Sequence, residues 1–271
     1  MARLSGPVGQ RILRPASSGK RTMSQELEAD ACFADARLAE LYDPLDPDRS
    51  DLEPYAQIID SVGARKILDV GCGTGTFACL LAARGLQVTG VDPARASLAV
   101  AGAKLQAAGV QWIHGTVEDV PTGDFDAAVM TANVAMVFTD DAQWQRTLER
   151  IAQLLKPGGR LIFEARRPEA RAWLSWTPEL TRERTVIDQL GPVTTWIEVL
   201  DYADELLSFR ETFHFEQDGS ELVSHSTLRY RTREELTRSL ETAGFMVQSV
   251  QEAPDRPGRQ FVFIARHGTS D

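Results

Sequence analysis

Apolar residues in this chain follow two rhythms. Near the start they recur at helical spacing: Leu27, Ala31, Ala34, Leu38 and Leu41 predict a helix over 26–42, stopped by Tyr42-Asp43-Pro44. A second short helix is predicted over 54–62, with Pro54 in its first turn. From residue 66 onward, short β-prone runs alternate with longer helical ones. Strands are predicted at 66–70, 87–91, 111–114, 125–131 and 160–165, and helices at 75–83, 94–108 and 141–155. Alternation at this period means βαβ units and a parallel, doubly wound sheet.

After Ala165 the rhythm changes to period two. Residues 184–231 are rich in Thr, Val, Phe and Tyr, and Phe209-Arg210-Glu211-Thr212-Phe213-His214-Phe215 alternates over two faces. Asp218-Gly219 is a hairpin turn. An antiparallel meander of three or four strands is expected there. A helix over 233–242, closed by Gly244, and strands at 245–250 and 260–265 follow. The expected architecture is α/β: a mostly parallel, doubly wound, seven-stranded sheet, N-terminal helices, and an antiparallel β insertion after the fifth strand. The expected divisions are a disordered basic extension (1–25), a helical cap (26–62), an α/β core (63–166), a β lid (167–232) and a closing segment (233–271).

The most informative stretch is Ile67-Leu68-Asp69-Val70-Gly71-Cys72-Gly73-Thr74-Gly75-Thr76, a strand that runs into a glycine-spaced turn and a helix. Alternating glycines let the backbone bend with positive φ and let a ligand lie close. The helix that follows aims its unpaired N–H groups at that ligand. The dinucleotide fingerprint is G-x-G-x-x-G. Here the third glycine comes one residue early, and Asp69 stands two residues before the first. A carboxylate there suits a cation better than a pyrophosphate.

At these residues the sequence resembles the class I S-adenosylmethionine (SAM)-dependent methyltransferases. Leu68 to Gly75 matches that family's first motif at every position, and Lys156-Pro157-Gly158-Gly159 before the fifth strand is also shared. The resemblance extends over about residues 35–265 and implies SAM as cofactor and methyl transfer as activity. It implies that Asp69, Gly71, Cys72, Gly73 and Gly75 form the loop around the methionine end. Asp92, at the end of the second strand and beside Pro93, is placed to accept the ribose hydroxyls or to cap the next helix. The segment Gly115-Thr116-Val117-Glu118 matches the adenine-binding stretch, with Thr116 where an acid is expected. The Val117 backbone, Thr116 or Glu118 is then left to meet the adenine. Asn133 ends the fourth strand, where ligands lie in such sheets. The chain lacks the Asn/Asp-Pro-Pro-aromatic run of nucleobase amine methyltransferases there. Tyr42 is a candidate to close over the sulfonium, or a packing tyrosine.

Methyl transfer needs no elaborate machinery, because the cofactor carries the activated carbon. No catalytic residue is assigned from sequence; the candidates are Arg166, for an anionic acceptor group, and His214 or His225 as base. Trp173 and Trp176 either wall an acceptor pocket or pack the fold. His114 and His267 are weaker candidates, and no residue set has metal-ligand spacing.

Charge and cysteine content narrow the partners. The net charge of the 271 residues is −10. Residues 1–22 carry five cations (Arg3, Arg11, Arg14, Lys20, Arg21) and no acid, so the remainder stands near −15. An acidic body argues against nucleic acid or anionic membrane as main partner. Met23-Ser24-Gln25-Glu26 reads as an ordinary protein start, with the basic residues before it as an extension. Three cysteines, Cys32, Cys72 and Cys79, suggest a reducing, cytoplasmic setting without disulfides. The expected reaction is methyl transfer to nitrogen or oxygen of a small molecule. The alternatives are an NAD-type oxidoreductase and a non-catalytic SAM-binding module.

Overall fold

A computed structural model describes residues 29–268; the expected basic extension lies outside them. Seven strands form the main sheet: β1 (Lys66–Val70), β2 (Gln87–Asp92), β3 (Val110–His114), β4 (Phe125–Met130), β5 (Leu155–Arg166), β10 (Phe245–Glu252) and β11 (Gln260–His267). Their order is β10-β11-β5-β4-β1-β2-β3. Pairing is parallel from β3 through β5, and β11 runs antiparallel between β5 and β10. Order reverses between β1 and β4, so the carboxyl ends of these two strands open onto a crevice.

Each face of the sheet is covered. Leu68, Val70, Ala128, Leu161 and Phe163 pack beneath α6 (Asp141–Leu154) and α8 (Arg233–Thr242). Ile67, Val88, Val129 and Ile162 pack beneath α3 (Glu53–Ser61) and α4 (Thr76–Ala83). Strands buried on both faces read as near-continuous apolar runs, as the sequence shows. Helix α5 (Arg95–Ala103) is shorter than its periodicity predicts, because the chain turns extended at Lys104 (ψ 148°). No helix among the described residues is long and apolar enough to cross a membrane.

The N-terminal helix is interrupted rather than continuous. It divides into α1 (Ala31–Ala34) and α2 (Ala36–Leu45) at Asp35, whose carboxylate accepts from the N–H groups of Arg37 and Leu38. Pro44 does not stop α2; it sits in the last turn, where the lost hydrogen bond costs least.

The insertion after β5 is a second, antiparallel sheet of four strands. They are β6 (Glu183–Ile187), β7 (Gly191–Ala203), β8 (Leu206–Phe215) and β9 (Glu221–Arg229), paired in sequence order, with α7 (Pro178–Thr181) leading into them. Alternation along β8 sets the two faces. Phe213 and Phe215 pack with Leu38 and Leu41 of α2, and Leu207 and Phe209 pack against the main core. The odd-numbered residues of β8 therefore face inward, and the sheet, the expected lid, packs over α1, α2 and one edge of the main core.

Candidate functional site

The crevice is built around the loop between β1 and α4. Gly71, Gly73 and Gly75 have φ of 70°, 53° and 75°, a region that L side chains rarely adopt. A Cβ at Gly71 would lie 2.6 Å from a Val134 methyl, so bareness is also needed for packing against the segment after β4. Gly75 opens α4 without a side-chain cap, which leaves the first N–H groups of that helix for a ligand.

Two carboxylates lie under the loop. Asp69 is 1% exposed, and neither of its oxygens has a hydrogen-bond partner among the described residues. Burial first, and the nearby Asp92 charge second, push its carboxyl up to about 7, with the Ala78 N–H of α4 opposing the rise. Asp92 accepts from the Gly73 N–H and the Ala94 N–H, each at 2.8 Å, and so ties the loop to the end of β2. Burial raises the Asp92 pKa, while these two donors and His114 oppose the rise. Asp92 thus does what a cap does, and a carboxylate has lone pairs left for a diol.

A third carboxylate holds the loop from outside. Asp43 of α2 accepts from the hydroxyls of Thr74 (2.8 Å) and Thr76 (2.9 Å) and pairs with Lys104 at 2.7 Å. Lys104, the cation at the loop, is thereby neutralised. Sequence reasoning read Asp43 only as part of a helix stop; nothing local in the chain signals a clamp 31 residues from its partner. Beside it, Tyr42 packs on Phe33 with ring centroids 5.6 Å apart, and burial pushes its phenol up to about 12.

The Cys72 side chain turns away from the ligand space. Its sulfur would lie 2.9 Å from a Cβ at Gly90, and burial together with Asp69 and Asp92 raises the thiol pKa. It is an unreactive packing residue, and only its backbone belongs to the loop. All three cysteines are free.

At the adenine end, Thr116 caps the short turn Val117–Asp119. Its hydroxyl accepts from the Glu118 N–H at 3.3 Å, and its own N–H donates to Asp119 at 2.8 Å. The hydroxyl is therefore already engaged, and the Glu118 side chain is exposed. The Val117 N–H makes no hydrogen bond with a described residue and is the free donor of this segment.

Asn133 closes the crevice at the end of β4, in left-handed conformation (φ 64°) after a left-handed Ala132 (φ 53°). Its amide oxygen accepts from Gln260 Nε2 at 2.7 Å, which leaves its NH2 as a donor. Its backbone N–H donates to buried Glu164 at 3.2 Å. Glu164 also takes the Tyr55 hydroxyl and lies 3.8 Å from Arg256. This network beneath Asn133 joins residues 109 positions apart and was not read from the sequence.

The acceptor-side candidates separate. Arg166 is mostly buried at the end of β5, its Nε unpartnered and its guanidinium 5.2 Å from the Trp176 ring. It forms no ion pair with Glu164 or Glu169 among the described residues. Tyr230, fully buried beside it, also has an unpartnered hydroxyl. Trp176 meets Phe209 of the lid edge-on at 5.1 Å, while Trp173 packs among Tyr202 and Tyr230. His214 and His225 lie elsewhere. The pairing Arg210↔His225 and His214↔Glu221 puts both on the outer face of the lid, with the Arg210–Glu198 ion pair. His114 bridges Arg95 and the Pro93 carbonyl, and His267 lies beside the Lys156 carbonyl. No cluster among the described residues has the makeup of a metal site.

Comparison with known proteins agrees with this geometry. Residues 67–159 match the family model described as a methyltransferase domain. The ubiquinone biosynthesis O-methyltransferase of Alkalilimnicola ehrlichii is 35% identical over 130 residues, 45% of this chain and 50% of that protein. The chain spans about half the length of the curated relatives it matches. Among solved structures, the sugar N-methyltransferase of Streptoalloteichus sp ATCC 53650 superposes with a TM-score of 0.70 at 19% identity, over 94% of this chain and 99% of that one. An S-adenosylmethionine-dependent methyltransferase of Clostridium acetobutylicum gives 0.68 at 17% identity, over 86% and 98%.

Proposed function

We propose that this chain, whose residues 67–159 belong to the methyltransferase domain family, moves a methyl group from SAM to nitrogen or oxygen of a small molecule. The observation that carries the reading is the pair of buried carboxylates, Asp69 and Asp92, beneath a loop of three left-handed glycines. Neither carboxylate forms an ion pair among the described residues, and negative charge there favours a sulfonium and an ammonium. The same charge repels a pyrophosphate, and Lys104 is already paired with Asp43. An NAD-type site is disfavoured on this ground as well as by the glycine spacing.

The donor molecule supplies a methyl carbon activated by positively charged sulfur. The chain's own residues bind and orient it. Asp92 takes the ribose hydroxyls, the Val117 N–H reaches the adenine ring, and the N-terminus of α4 with Asp69 holds the amino-acid end. Asn133, fixed by Gln260 and Glu164, offers its amide NH2 where the crevice meets the lid. Arg166 and Tyr230, both with unpartnered polar atoms, are the groups for a polar or anionic part of the acceptor. The lid, α1 and α2 exclude water above them. The relatives named as ubiquinone O-methyltransferase and sugar N-methyltransferase support small molecules as acceptors. The free cysteines fit a cytoplasmic setting.

Calorimetry with S-adenosylhomocysteine and with NAD tests the reading. Binding of S-adenosylhomocysteine without NAD is expected, and NAD binding alone would refute it. Methyl-labelled SAM incubated with a metabolite extract then reports transfer; a labelled small molecule is expected, and label confined to the unreacted donor would favour a binding module.

A further inference from the structure

The inner face of the lid carries one acid among apolar residues. On β8, Leu207, Phe209, Phe213 and Phe215 point inward, and Glu211 lies between them on the same face. Cross-strand neighbours on this face are Ile197 of β7 and Ser224 of β9. The two ends of the face are sealed, by Trp176 against Phe209 and by α2 against Phe213 and Phe215. Glu211 occupies the middle, where α1 meets its neighbour Ser224. Its carboxylate makes no hydrogen bond or ion pair with any described residue. Arg210, the adjacent cation, points to the opposite face and pairs with Glu198.

No cation from the packed elements pairs with Glu211 among the described residues. From α1, the Cys32 N–H donates to Ser224 Oγ at 2.9 Å, and the Cys32 thiol lies near the Glu211 charge. Asp30, at the start of α1, lies beside Ser226. The residues directly opposite Glu211, Ile197 and Ser224, are not ionisable. At the two ends of the face, Arg37 of α2 stacks on Phe215 and pairs with Asp218, and Tyr202 of β7 stands opposite Leu207. Tyr42 of α2 and Arg166, beyond Trp176, are further titratable groups near it, and α2 in turn grips the glycine loop through Asp43. Glu211 thus lies between Phe209, which reaches the end of β5 through Trp176 and Arg166, and the helices that grip the glycine loop. A carboxylate held there without a counter-charge is a site for a cation.

We infer that Glu211 receives the protonated amine of the methyl acceptor and takes its proton, so that the acceptor class is an amine. The inference rests on the methyltransferase reading. The ammonium N–H donates to Glu211 and passes a proton to it, leaving a neutral amine and a protonated carboxyl. The nitrogen lone pair then forms the N–C bond to the methyl group, and the electrons of the broken S–C bond remain on sulfur. Glu211 afterwards returns its proton to water. Burial pushes the Glu211 carboxyl up to about 7, a value suited to accepting a proton near neutral pH.

Cyclohexylamine and cyclohexanol share a skeleton and differ in charge, so they serve as probes. Saturation-transfer NMR with the protein loaded with S-adenosylhomocysteine compares them at pH 8 and pH 5.5. At pH 8 the amine is expected to bind roughly tenfold or more tighter than the alcohol, as a charge-assisted hydrogen bond implies. The preference is expected to vanish at pH 5.5 in the wild type and at both pH values in E211Q. E211Q is expected to retain its affinity for S-adenosylhomocysteine, which also reports its folding. Equal binding of the two probes at pH 8, binding of neither, or an amine preference that survives E211Q would overturn the assignment. Failure of the wild type to bind S-adenosylhomocysteine would instead overturn the methyltransferase reading beneath it.

Discussion

The Asp43 carboxylate accepts a 2.8 Å hydrogen bond from the Thr74 hydroxyl, which fastens helix α2 to the glycine loop. The same carboxylate takes Thr76 and Lys104, so three groups of the loop region depend on one residue. Asp43→Ala should free the loop and leave Lys104 unpaired. S-adenosylhomocysteine affinity measured by calorimetry should fall by about tenfold, and amide exchange at residues 71–76 should quicken. An unchanged affinity would mean that the clamp is structural only.

Asp92 has two duties, since it accepts from Gly73 and Ala94 in the ligand-free fold. Removing it therefore disturbs the loop and the ribose contact together. Asp92→Ala should weaken S-adenosylhomocysteine binding by on the order of 1.5–3 kcal/mol, the range for hydrogen bonds to charged groups. Asp92→Asn keeps one acceptor oxygen and should lose less. Equal losses in the two variants would show that the charge, not the hydrogen-bond geometry, carries the effect.

The Rossmann-like core was legible because its signals are local. A strand, a glycine turn and a helix stand within 20 residues, and Asp69 and Asp92 hold positions set by that unit. The lid was legible as a sheet from period-two alternation, yet alternation alone does not say which face turns inward. His214 and Glu211 lie on opposite faces of one strand. The deciding signal was present: Phe209, Phe213 and Phe215 share a parity with Glu211, and the apolar parity is the buried one. The contacts of Asp43 with Thr74 and of Tyr55 with Glu164 span 31 and 109 residues, and no local pattern encodes them.

Tyr55 and Glu164 tie α3 to the strand end that supports Asn133. Burial and the adjacent carboxylate raise the tyrosine pKa, so its hydroxyl remains the donor throughout the neutral range. Tyr55→Phe leaves the Glu164 carboxylate buried with one donor fewer. Loss of a partner by a buried charged group costs about 1–3 kcal/mol. Chemical denaturation should register that loss as a lower midpoint at unchanged slope. A variant as stable as the wild type would show that Arg256 and water already satisfy Glu164.

His214 and His225 serve as controls, because both lie on the outer face of the lid. His225 is exposed and His214 is half-buried. Replacing His225 by Ala should alter stability by no more than about 0.5 kcal/mol. S-adenosylhomocysteine affinity should be unchanged in both variants. A loss of affinity in either would require the lid to turn its other face to the crevice.

Asp69 makes ligand-free stability depend on pH in a definite direction. Its carboxyl is raised from 3.8 to about 7 in the fold. Between these values the native protein keeps a proton that the unfolded chain has lost. Stability from this group therefore falls as pH rises from about 4 to about 7 and levels off above. Asp69→Asn removes the titration, so the difference in melting temperature, variant minus wild type, should grow across that window. Ligand binding should show the converse. A cation against the loop favours the ionised carboxylate, so wild-type affinity for SAM should rise from pH 6 to pH 8 while that of the variant stays flat. Parallel pH profiles for the two proteins would show that Asp69 remains in one protonation state throughout, with its charge compensated inside the fold.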